Sequence, residues 1–268
     1  MKKRTIIIAE IGENHLGDVE LAKEMVKEAA ASGADIIKFQ SYNSETFKKD
    51  DPEYDWFNRV SLSDEDHFML KQAVEENGAE FMSAPFNMER AKFLCEGLKT
   101  PKVKVASGKM TDLRLLSYLN QNCEEVFLST GMALISEIRE SLAVLNKVKV
   151  CLLHCVTQYP LKDCDANLLA IETLRKEFPN TSIGYSDHTI GIIAPLIAVA
   201  LGAEVIEKHF TIDKDMEGTD HILSVIPREL NNMVNNIRTV EVLLGDGLKV
   251  PQECEKEIKE FVRGRFLG

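Results

Sequence analysis

The stretch SIGYSDHTIGIIAPLIAVALGAEVIEKHF, residues 182–210, decides the fold because it contains one complete strand–helix–strand unit. Short apolar runs predict strands over Ser182–Ser186 and Glu204–Phe210. The residues between these runs follow a helical pattern, and Gly202 stands where the helix gives way to the second strand. Such a unit predicts two parallel strands joined by a right-handed crossover.

The same alternation runs along the whole chain. The predicted strands are Thr5–Glu10, Asp35–Gln40, Glu80–Ser83, Lys102–Ala106, Glu125–Ser129, Lys149–His154, Ser182–Ser186 and Glu204–Phe210. The helical patterns between them include Val19–Ser32, Asp64–Asn77, Thr111–Gln121 and Asp165–Phe178. Ser63 and Ser136 are predicted helix starts, and Gly33 and Gly78 are predicted helix ends.

Eight such units in roughly 250 residues match the size of a (β/α)8 barrel. A doubly wound open sheet is the competing architecture, but no glycine-rich dinucleotide fingerprint follows the first strand. We therefore predict an α/β protein, a (β/α)8 TIM barrel over residues 1–250, with an additional C-terminal helix over Gln252–Phe261 in the segment 251–268.

Composition excludes several classes of protein. Hydrophobic residues make up 44% of the chain and charged residues 28%, which is ordinary for a globular protein and argues against disorder. The net charge is −11 without a basic patch, so we expect no nucleic-acid or membrane partner. The apolar run Ile6–Ala9 is too short for a signal peptide. Six cysteines without disulfide or metal spacing predict reduced, mostly core thiols and a cytoplasmic protein.

Chemistry in this fold lies at the carboxyl ends of the strands, so polar residues that end apolar strands are the candidate site residues. They are Glu10, Lys38, Gln40, Ser83, Lys104, Ser107, Ser129, Thr130, His154, Ser186, Asp187, His188, Glu207, Lys208 and His209. Each one alone has a structural explanation, such as a serine that caps a helix. Their convergence on one rim favours a functional site, because an unpaired buried charge is costly.

His188 and His209 end neighbouring strands, which lie about 4.8 Å apart in a sheet. Two imidazoles at matching height can share one divalent ion and leave positions open for water and a substrate oxygen. A purely structural histidine pair is the alternative.

Lys38 and Lys104 each interrupt an apolar strand, where an ammonium needs an anion. A phosphate-bearing substrate would satisfy both lysines, together with hydroxyls of Ser107, Ser129 and Ser186. A lysine that forms a Schiff base, as in a class I aldolase, is the alternative.

The motifs at these strand ends resemble the sialic acid synthase family. They are Ala9-Glu10-Ile11-Gly12-Glu13-Asn14-His15-Leu16-Gly17, Lys38-Phe39-Gln40, Ala106-Ser107-Gly108, Leu128-Ser129-Thr130-Gly131-Met132, Leu153-His154-Cys155, Tyr159-Pro160, Gly184-Tyr185-Ser186-Asp187-His188-Thr189, Glu207-Lys208-His209-Phe210-Thr211 and Gly218-Thr219-Asp220-His221. The resemblance extends from Ile8 to about Leu244, in order and with matching spacing. It implies an enzyme that condenses phosphoenolpyruvate with an N-acetylated hexosamine or a related aldose to give a nonulosonic acid and phosphate.

The resemblance also implies a role for each matching residue. His188 and His209 match the metal ligands, with Mn²⁺ or Mg²⁺ as the cofactor. The phosphoenolpyruvate-binding positions are Lys38, Lys104, Ser107, Ser129 and Ser186, and the sugar-binding positions are Gln40, Tyr159 and Asp220. Glu10 matches the carboxylate beside the reacting carbons, where it orients or deprotonates the water that adds to C2. A homodimer is the implied assembly.

This chain departs from the family pattern at several positions. Ala84 replaces a threonine, Thr157 replaces an asparagine or serine near the sugar, and Lys109 replaces an acidic residue after Ser107-Gly108. We predict that Lys109 faces the barrel mouth and favours a sugar with a hydrogen-bond acceptor or a negative group, and a phosphorylated sugar belongs to this class. The alternative is that it pairs with Glu13 or Asp112, or points into solvent.

The family carries a small C-terminal antifreeze-like domain whose arginine reaches the partner's sugar site, and no such domain is expected within residues 251–268. The domain is naturally absent, supplied by another chain, or missing from a truncated sequence. A catalytically impaired barrel that only binds its ligands is therefore a further alternative to the enzyme.

Overall fold

The computed structural model describes residues 4–43 and 45–266, and it contains a closed barrel of eight parallel strands in sequential order. The strands are β1 (Ile6–Gly12), β2 (Ile36–Ser41), β3 (Glu80–Pro85), β4 (Lys102–Val105), β5 (Glu125–Ser129), β6 (Lys149–Cys155), β7 (Ser182–Asp187) and β8 (Val205–His209). Strand β8 pairs with β1, with Glu10 opposite His209, and this pairing closes the barrel. The predicted fold class is confirmed, and the eight predicted strands are all present.

Helices surround the barrel. They are α1 (Val19–Ala31), α2 (Tyr54–Val60), α3 (Asp64–Glu76), α4 (Met88–Lys92), α5 (Leu113–Asn122), α6 (Ile135–Val144), α7 (Ala170–Glu177), α8 (Ile193–Ala200), α9 (Pro227–Leu243) and α10 (Lys256–Arg263). The predicted helix start at Ser63 is confirmed by a capping box with Asp66. The predicted start at Ser136 is wrong, because α6 begins at Ile135 and the Glu137 carboxylate accepts from the backbone N–H of Leu134.

Two helices differ from the sequence prediction in other ways. Helix α7 begins at Ala170, five residues after the predicted start, because a short 3-10 turn occupies Asp163–Asp165. Helix α2 lies in the connection between β2 and α3 and was not predicted. That connection forms part of the barrel mouth.

Alternation along the strands divides the barrel interior into layers, because successive side chains of a strand point to opposite faces. An apolar layer fills the lower interior and consists of Ile8, Ile36, Met82, Phe127, Cys151, Leu153 and Val205. Two residues further along β1, β2 and β8 stand Glu10, Lys38 and Glu207. A charged layer therefore lies directly above the apolar layer, at the carboxyl ends of the strands.

The residues that alternate with this charged layer point outward against the helices. Asp187 and Lys208 are fully buried there and form an ion pair of 2.7 Å between neighbouring strands β7 and β8. Tyr185 donates a hydrogen bond of 2.9 Å to the other Asp187 oxygen, and the Lys208 ammonium also donates to the carbonyl of Thr189. This pair fixes the two strands that carry His188 and His209.

Glycines meet two demands of the fold. Gly33, Gly78 and Gly202 have φ of 98°, 77° and 99°, which confirms them as helix ends. Gly184 lies in the interior of β7, where an added Cβ would come within 2.6 Å of both the Leu153 side chain and the Val205 carbonyl oxygen. The narrow barrel therefore requires glycine at this position.

The segment after α9 is exposed. Helix α10 confirms the predicted C-terminal helix, although it begins at Lys256 after a 3-10 turn at Glu253–Glu255; Leu267 and Gly268 lie outside the described residues. No disulfide joins the six cysteines, all of which lie in the described ranges; two are buried, two are half-buried and two are exposed, so the predicted core location holds only for some of them. None of the helices in the described ranges is long and apolar enough to cross a membrane.

Candidate active site

A cavity of 440 Å³ opens at the carboxyl ends of the strands. It is lined by Glu10, Glu13, Lys38, Gln40, Phe47, Glu53, Phe57, Ala84, Phe86, Lys104, Ala106, Ser107, Gly108, Ser129, Cys155, Thr157, Tyr159, Ser186, His188, Glu207, His209, Thr219 and Asp220. A depression of 660 Å³ lies at the opposite end and contains no predicted site residue. The chemistry is therefore expected in the cavity at the carboxyl ends.

Four buried charged residues form the floor of this cavity. The Lys38 ammonium lies 2.8 Å from a Glu10 carboxylate oxygen and 3.7 Å from Glu207, and Lys104 lies 2.7 Å from Glu207. All four side chains are at most 5% exposed. Each predicted phosphate-binding lysine thus already has a carboxylate partner within the protein, which the sequence analysis did not foresee.

The network holds its carboxylates in two different states. Burial alone would raise the pKa of Glu207, but the ammoniums of Lys104 and Lys38 outweigh it and hold the value at about 2. Burial raises the pKa of Glu10, and the attraction of Lys38 does not fully offset this effect. Glu207 is therefore a permanent anion that anchors both lysines, whereas Glu10 is the carboxylate better suited to exchange a proton.

Serine and threonine hydroxyls surround the lysines. Ser186 donates a hydrogen bond of 2.9 Å to Glu207, and Ser107 accepts one of 3.0 Å from the backbone N–H of Gly131. The Ser129 hydroxyl is buried without a hydrogen-bond partner in the described structure. Such an orphaned hydroxyl beside two lysines indicates a place for a ligand oxygen.

Gly131 leaves room for two hydroxyl groups because it has no side chain. An added Cβ at Gly131 would come within 2.3 Å of the Thr157 hydroxyl oxygen and 2.6 Å of that of Ser107. The glycine therefore lets both hydroxyls approach the same backbone segment at the edge of the cavity.

His188 and His209 lie together at the ends of β7 and β8, with ring centroids 5.5 Å apart. Burial lowers the pKa of His188 to about 4, and burial and the neighbouring His188 lower the pKa of His209. Both imidazoles are therefore neutral at physiological pH, the state in which histidine binds a metal ion.

The free atoms of this pair fit a divalent cation. The Val156 carbonyl lies 2.8 Å from Nδ1 of His188 and can only accept, so this nitrogen carries the proton and Nε2 keeps its lone pair. Nδ1 of His209 lies 3.3 Å from an Asp220 carboxylate oxygen but makes no hydrogen bond there. Within the described ranges no group of three or more His, Cys, Asp or Glu has a metal-binding arrangement. A cation held by these two histidines would need further ligands from water or substrate.

The three predicted sugar-binding residues also line the cavity. Gln40 donates a hydrogen bond of 3.1 Å to Glu10, and the Tyr159 ring lies 4.0 Å from that of His188. Asp220 is 8% exposed, and burial, with the nearby Glu13 and Glu10, raises its pKa to about 7. These residues connect the charged floor with the open mouth.

Ser83, Thr130, His154, Asp187 and Lys208 do not line the cavity, and Lys109, the residue expected to face the sugar, is also absent from its lining. Lys109 lies in the 3-10 turn Ser107–Lys109, and its ammonium is 2.7 Å from the carboxylate of Asp112, three residues later. The expectation that Lys109 faces the sugar is therefore not met in this structure, and the alternative pairing with Asp112 is found. A short-range partner within the same turn satisfies its charge.

Several lining residues had no role predicted from the sequence. Glu207 was visible as a strand end, and its position two residues before His209 places both on the same face of β8. Glu13 lies in a quoted motif without an assigned role. Glu53 and Phe57 belong to the β2–α3 connection, for which the sequence offered no pattern.

A (β/α)8 barrel with two buried lysines, serine hydroxyls and two neutral histidines at its mouth is typical of an enzyme that acts on an anionic substrate. Comparison with known proteins identifies the family: residues 25–249 match the NeuB family, and the chain belongs to it. It is an enzyme of the sialic acid synthase type.

Individual relatives agree with this assignment. The chain is 39% identical to the N,N'-diacetyllegionaminic acid synthase of Legionella pneumophila, over 96% of this chain and 78% of that protein. It is 33% identical to the N-acetylneuraminate-9-phosphate synthase of Mus musculus, over 97% and 76%. The crystal structure of N-acetylneuraminic acid synthetase from Leptospira borgpetersenii, in complex with citrate, superposes with a TM-score of 0.93 at 36% identity, over 98% of this chain and 93% of that chain.

Proposed function

We propose that this enzyme condenses phosphoenolpyruvate with an N-acetylated hexosamine or a related aldose, giving a nonulosonic acid and inorganic phosphate. One observation carries the proposal: two buried lysines, an unpartnered serine hydroxyl and two neutral histidines line a single cavity. The first group suits an anionic enol phosphate, and the second suits a cation.

Lys38 and Lys104 would bind the anionic groups of phosphoenolpyruvate. Glu207 holds both ammoniums in place before the substrate arrives, so little side-chain entropy is lost on binding. The hydroxyl of Ser129 would donate to a phosphate oxygen, because it has no partner in the described structure. Ser107 and Ser186 extend this hydroxyl surface on either side.

The reaction joins the two substrates, consumes one water and releases phosphate. A carbon–carbon bond forms between C3 of phosphoenolpyruvate and the aldehyde carbon, and the aldehyde oxygen takes up a proton. Water adds to C2 and loses both of its protons; one offsets the proton taken up by the aldehyde oxygen and the other leaves with phosphate as the C2–O bond to phosphate breaks and C2 becomes a ketone. Glu10 would orient this water and accept one of its protons, since burial raises the pKa of Glu10 and Gln40 and Lys38 hold its two oxygens.

His188 and His209 would hold a divalent cation, with Mn²⁺ or Mg²⁺ as the candidates. The bound ion would polarise the aldehyde oxygen of the sugar as a Lewis acid. The support for this site is the neutral state of both imidazoles and the free lone pair on His188. Tyr159 packs on the His188 ring and limits its rotation.

The experiment that tests the function is incubation with phosphoenolpyruvate, MnCl₂ and a panel of N-acetylated hexosamines. Released phosphate and the mass of the nine-carbon product are the measurements. We expect stoichiometric phosphate and product, loss of both with EDTA, and recovery with excess Mn²⁺. If none of the sugars in the panel led to consumption of phosphoenolpyruvate, the proposal would be contradicted. Turnover that continues in EDTA would contradict the proposed metal dependence.

Two controls address the alternatives. Borohydride trapping with a keto substrate would reveal a Schiff base on Lys38 or Lys104. We expect none, because Glu10 and Glu207 outweigh burial and raise the pKa of Lys38, and Lys104, whose pKa burial lowers, is held in an ion pair of 2.7 Å with Glu207. Light scattering measures the assembly, for which the family resemblance predicts a homodimer.

A further inference from the structure

The outer half of the cavity carries three carboxylates, Glu13, Glu53 and Asp220, which we call the acidic wall. Trp56 donates its indole N–H to Glu13 over 2.9 Å. The hydroxyl of Thr219 lies 3.4 Å from a carboxylate oxygen of Glu13 and 3.4 Å from one of Asp220. The acidic wall is thus assembled from the β1–α1, β2–α3 and β8–α9 connections.

The carboxylates of this wall act on one another. Burial raises the pKa of Glu13. The hydrogen bond from Trp56 lowers this pKa, and the negative charge of Glu53 raises it further. Glu13 and Asp220 in turn each place a carboxylate oxygen 3.4 Å from the Thr219 hydroxyl. The three groups therefore share one electrostatic environment, and a further negative group placed there would meet repulsion.

Few cations are available to offset the wall. Among the described lining residues, only Lys38 and Lys104 are cationic, and both are held on the cavity floor by Glu10 and Glu207. Two other cations near the mouth have partners outside it. Arg59 lies 2.9 Å from Glu217, and Lys109 lies 2.7 Å from Asp112.

The side of the mouth that Phe47, Phe57 and Phe86 form is apolar, and we call it the aromatic wall. Phe47 and Phe57 stack with ring centroids 4.1 Å apart, and Tyr42 contacts all three rings from behind. A methyl group of an acetamido or deoxy substituent would pack on this wall, whereas sugar hydroxyl and amide N–H groups would donate to the acidic wall.

We propose that the acceptor sugar is uncharged, and that the acidic wall excludes a sugar phosphate from the site. A phosphate ester needs arginine, lysine or a cluster of N–H donors, and the outer cavity instead presents carboxylates, which lack donors when ionised. The inference rests on the function proposed above and adds the charge class of the second substrate.

Binding can be tested without turnover, because Trp56 is the single tryptophan of the chain and donates to Glu13 of the acidic wall. The holoenzyme with Mn²⁺ is titrated with N-acetylmannosamine and N-acetylglucosamine and with their 6-phosphates, while tryptophan fluorescence is recorded. We expect a saturable change with a neutral sugar and at least tenfold weaker binding of its 6-phosphate. A 6-phosphate that binds as tightly as its neutral partner, or four titrations without a change, would overturn the inference.

Matched variants show whether the acidic wall causes the discrimination. Glu53→Lys places a cation on the wall, whereas Asp55→Lys adds the same charge two residues away, on an exposed residue outside the cavity lining. Glu53→Lys should strengthen binding of the 6-phosphate by about fivefold, as expected for an exposed charge, and Asp55→Lys should not. Equal effects of the two variants would overturn the role of the wall. If a neutral sugar binds but phosphoenolpyruvate is never consumed, the proposed function fails while this inference stands.

Discussion

Replacing Glu207 with glutamine tests the charged floor most directly. The side chain is 4% exposed and binds Lys104 at 2.7 Å, Lys38 at 3.7 Å and the Ser186 hydroxyl at 2.9 Å. A carboxyl whose pKa falls from 4.5 to about 2 on folding stabilises the protein by about 3 kcal/mol, since one pKa unit is worth about 1.4 kcal/mol. Loss of one partner of a buried ion pair costs about the same amount.

Glu207→Gln should therefore lower the free energy of unfolding by about 3 kcal/mol at pH 7, measured by urea denaturation. The lowered pKa gives stability that is present above pH 4.5 and is lost as the pH falls towards 2. Between pH 4.5 and pH 2 the variant should thus lose less stability than the wild type. Its KM for phosphoenolpyruvate should rise about tenfold or more, because Lys38 and Lys104 lose their anchor.

Glu204→Gln is the matched control. Glu204 lies three residues earlier, directly before β8, where it accepts a hydrogen bond of 2.9 Å from Ser182 that a glutamine oxygen can also accept. The control should change stability by less than about 1 kcal/mol and leave the KM unchanged. Wild-type stability and an unchanged KM in Glu207→Gln would refute the role of the network.

Three further results are expected. His209→Ala should abolish Mn²⁺ binding in calorimetry, whereas His154→Gln, at a histidine outside the main cavity, should retain it. Equal Mn²⁺ affinity in both variants would show that the histidine pair does not bind the metal. Lys104→Met should weaken phosphoenolpyruvate binding by about 2 kcal/mol in a titration, as for a lost charge-assisted hydrogen bond, and an unchanged affinity would exclude Lys104 from the phosphate site. Burial lowers the pKa of His67 to about 4, so the unfolded chain takes up a proton at a higher pH than the folded chain, and the free energy of unfolding falls as the pH drops from 6.5 to 4. His67→Gln should reduce this loss of stability between pH 7.5 and pH 5 by about 2 kcal/mol in urea denaturation. An unaltered pH dependence would contradict this cause.

The sequence predicted the barrel and most of the cavity lining. Strand positions were predictable because apolar runs end in polar residues at the same point of each unit, and parallel strands bring those ends to one rim. His188 and His209 followed from this rule, and the structure places their rings 5.5 Å apart. The metal bound by them stays a prediction.

Other features were not predictable from local pattern. The β2–α3 connection with Phe57 has no periodic signature, so neither α2 nor its part in the cavity was expected. Lys109 was predicted at the mouth because it comes after a strand, but its ammonium forms an ion pair with the nearby carboxylate of Asp112.

The sequence by itself determined which residues point into the barrel, because alternation along a strand is a local property of the backbone. Only the tertiary structure decided how those residues pair. Lys104 and Glu207 are 103 residues apart, and their 2.7 Å contact exists because the barrel closes and its interior is narrow. Burial in that closed space then separates the proton affinities of Glu10 and Glu207, two carboxylates that are chemically the same in the unfolded chain.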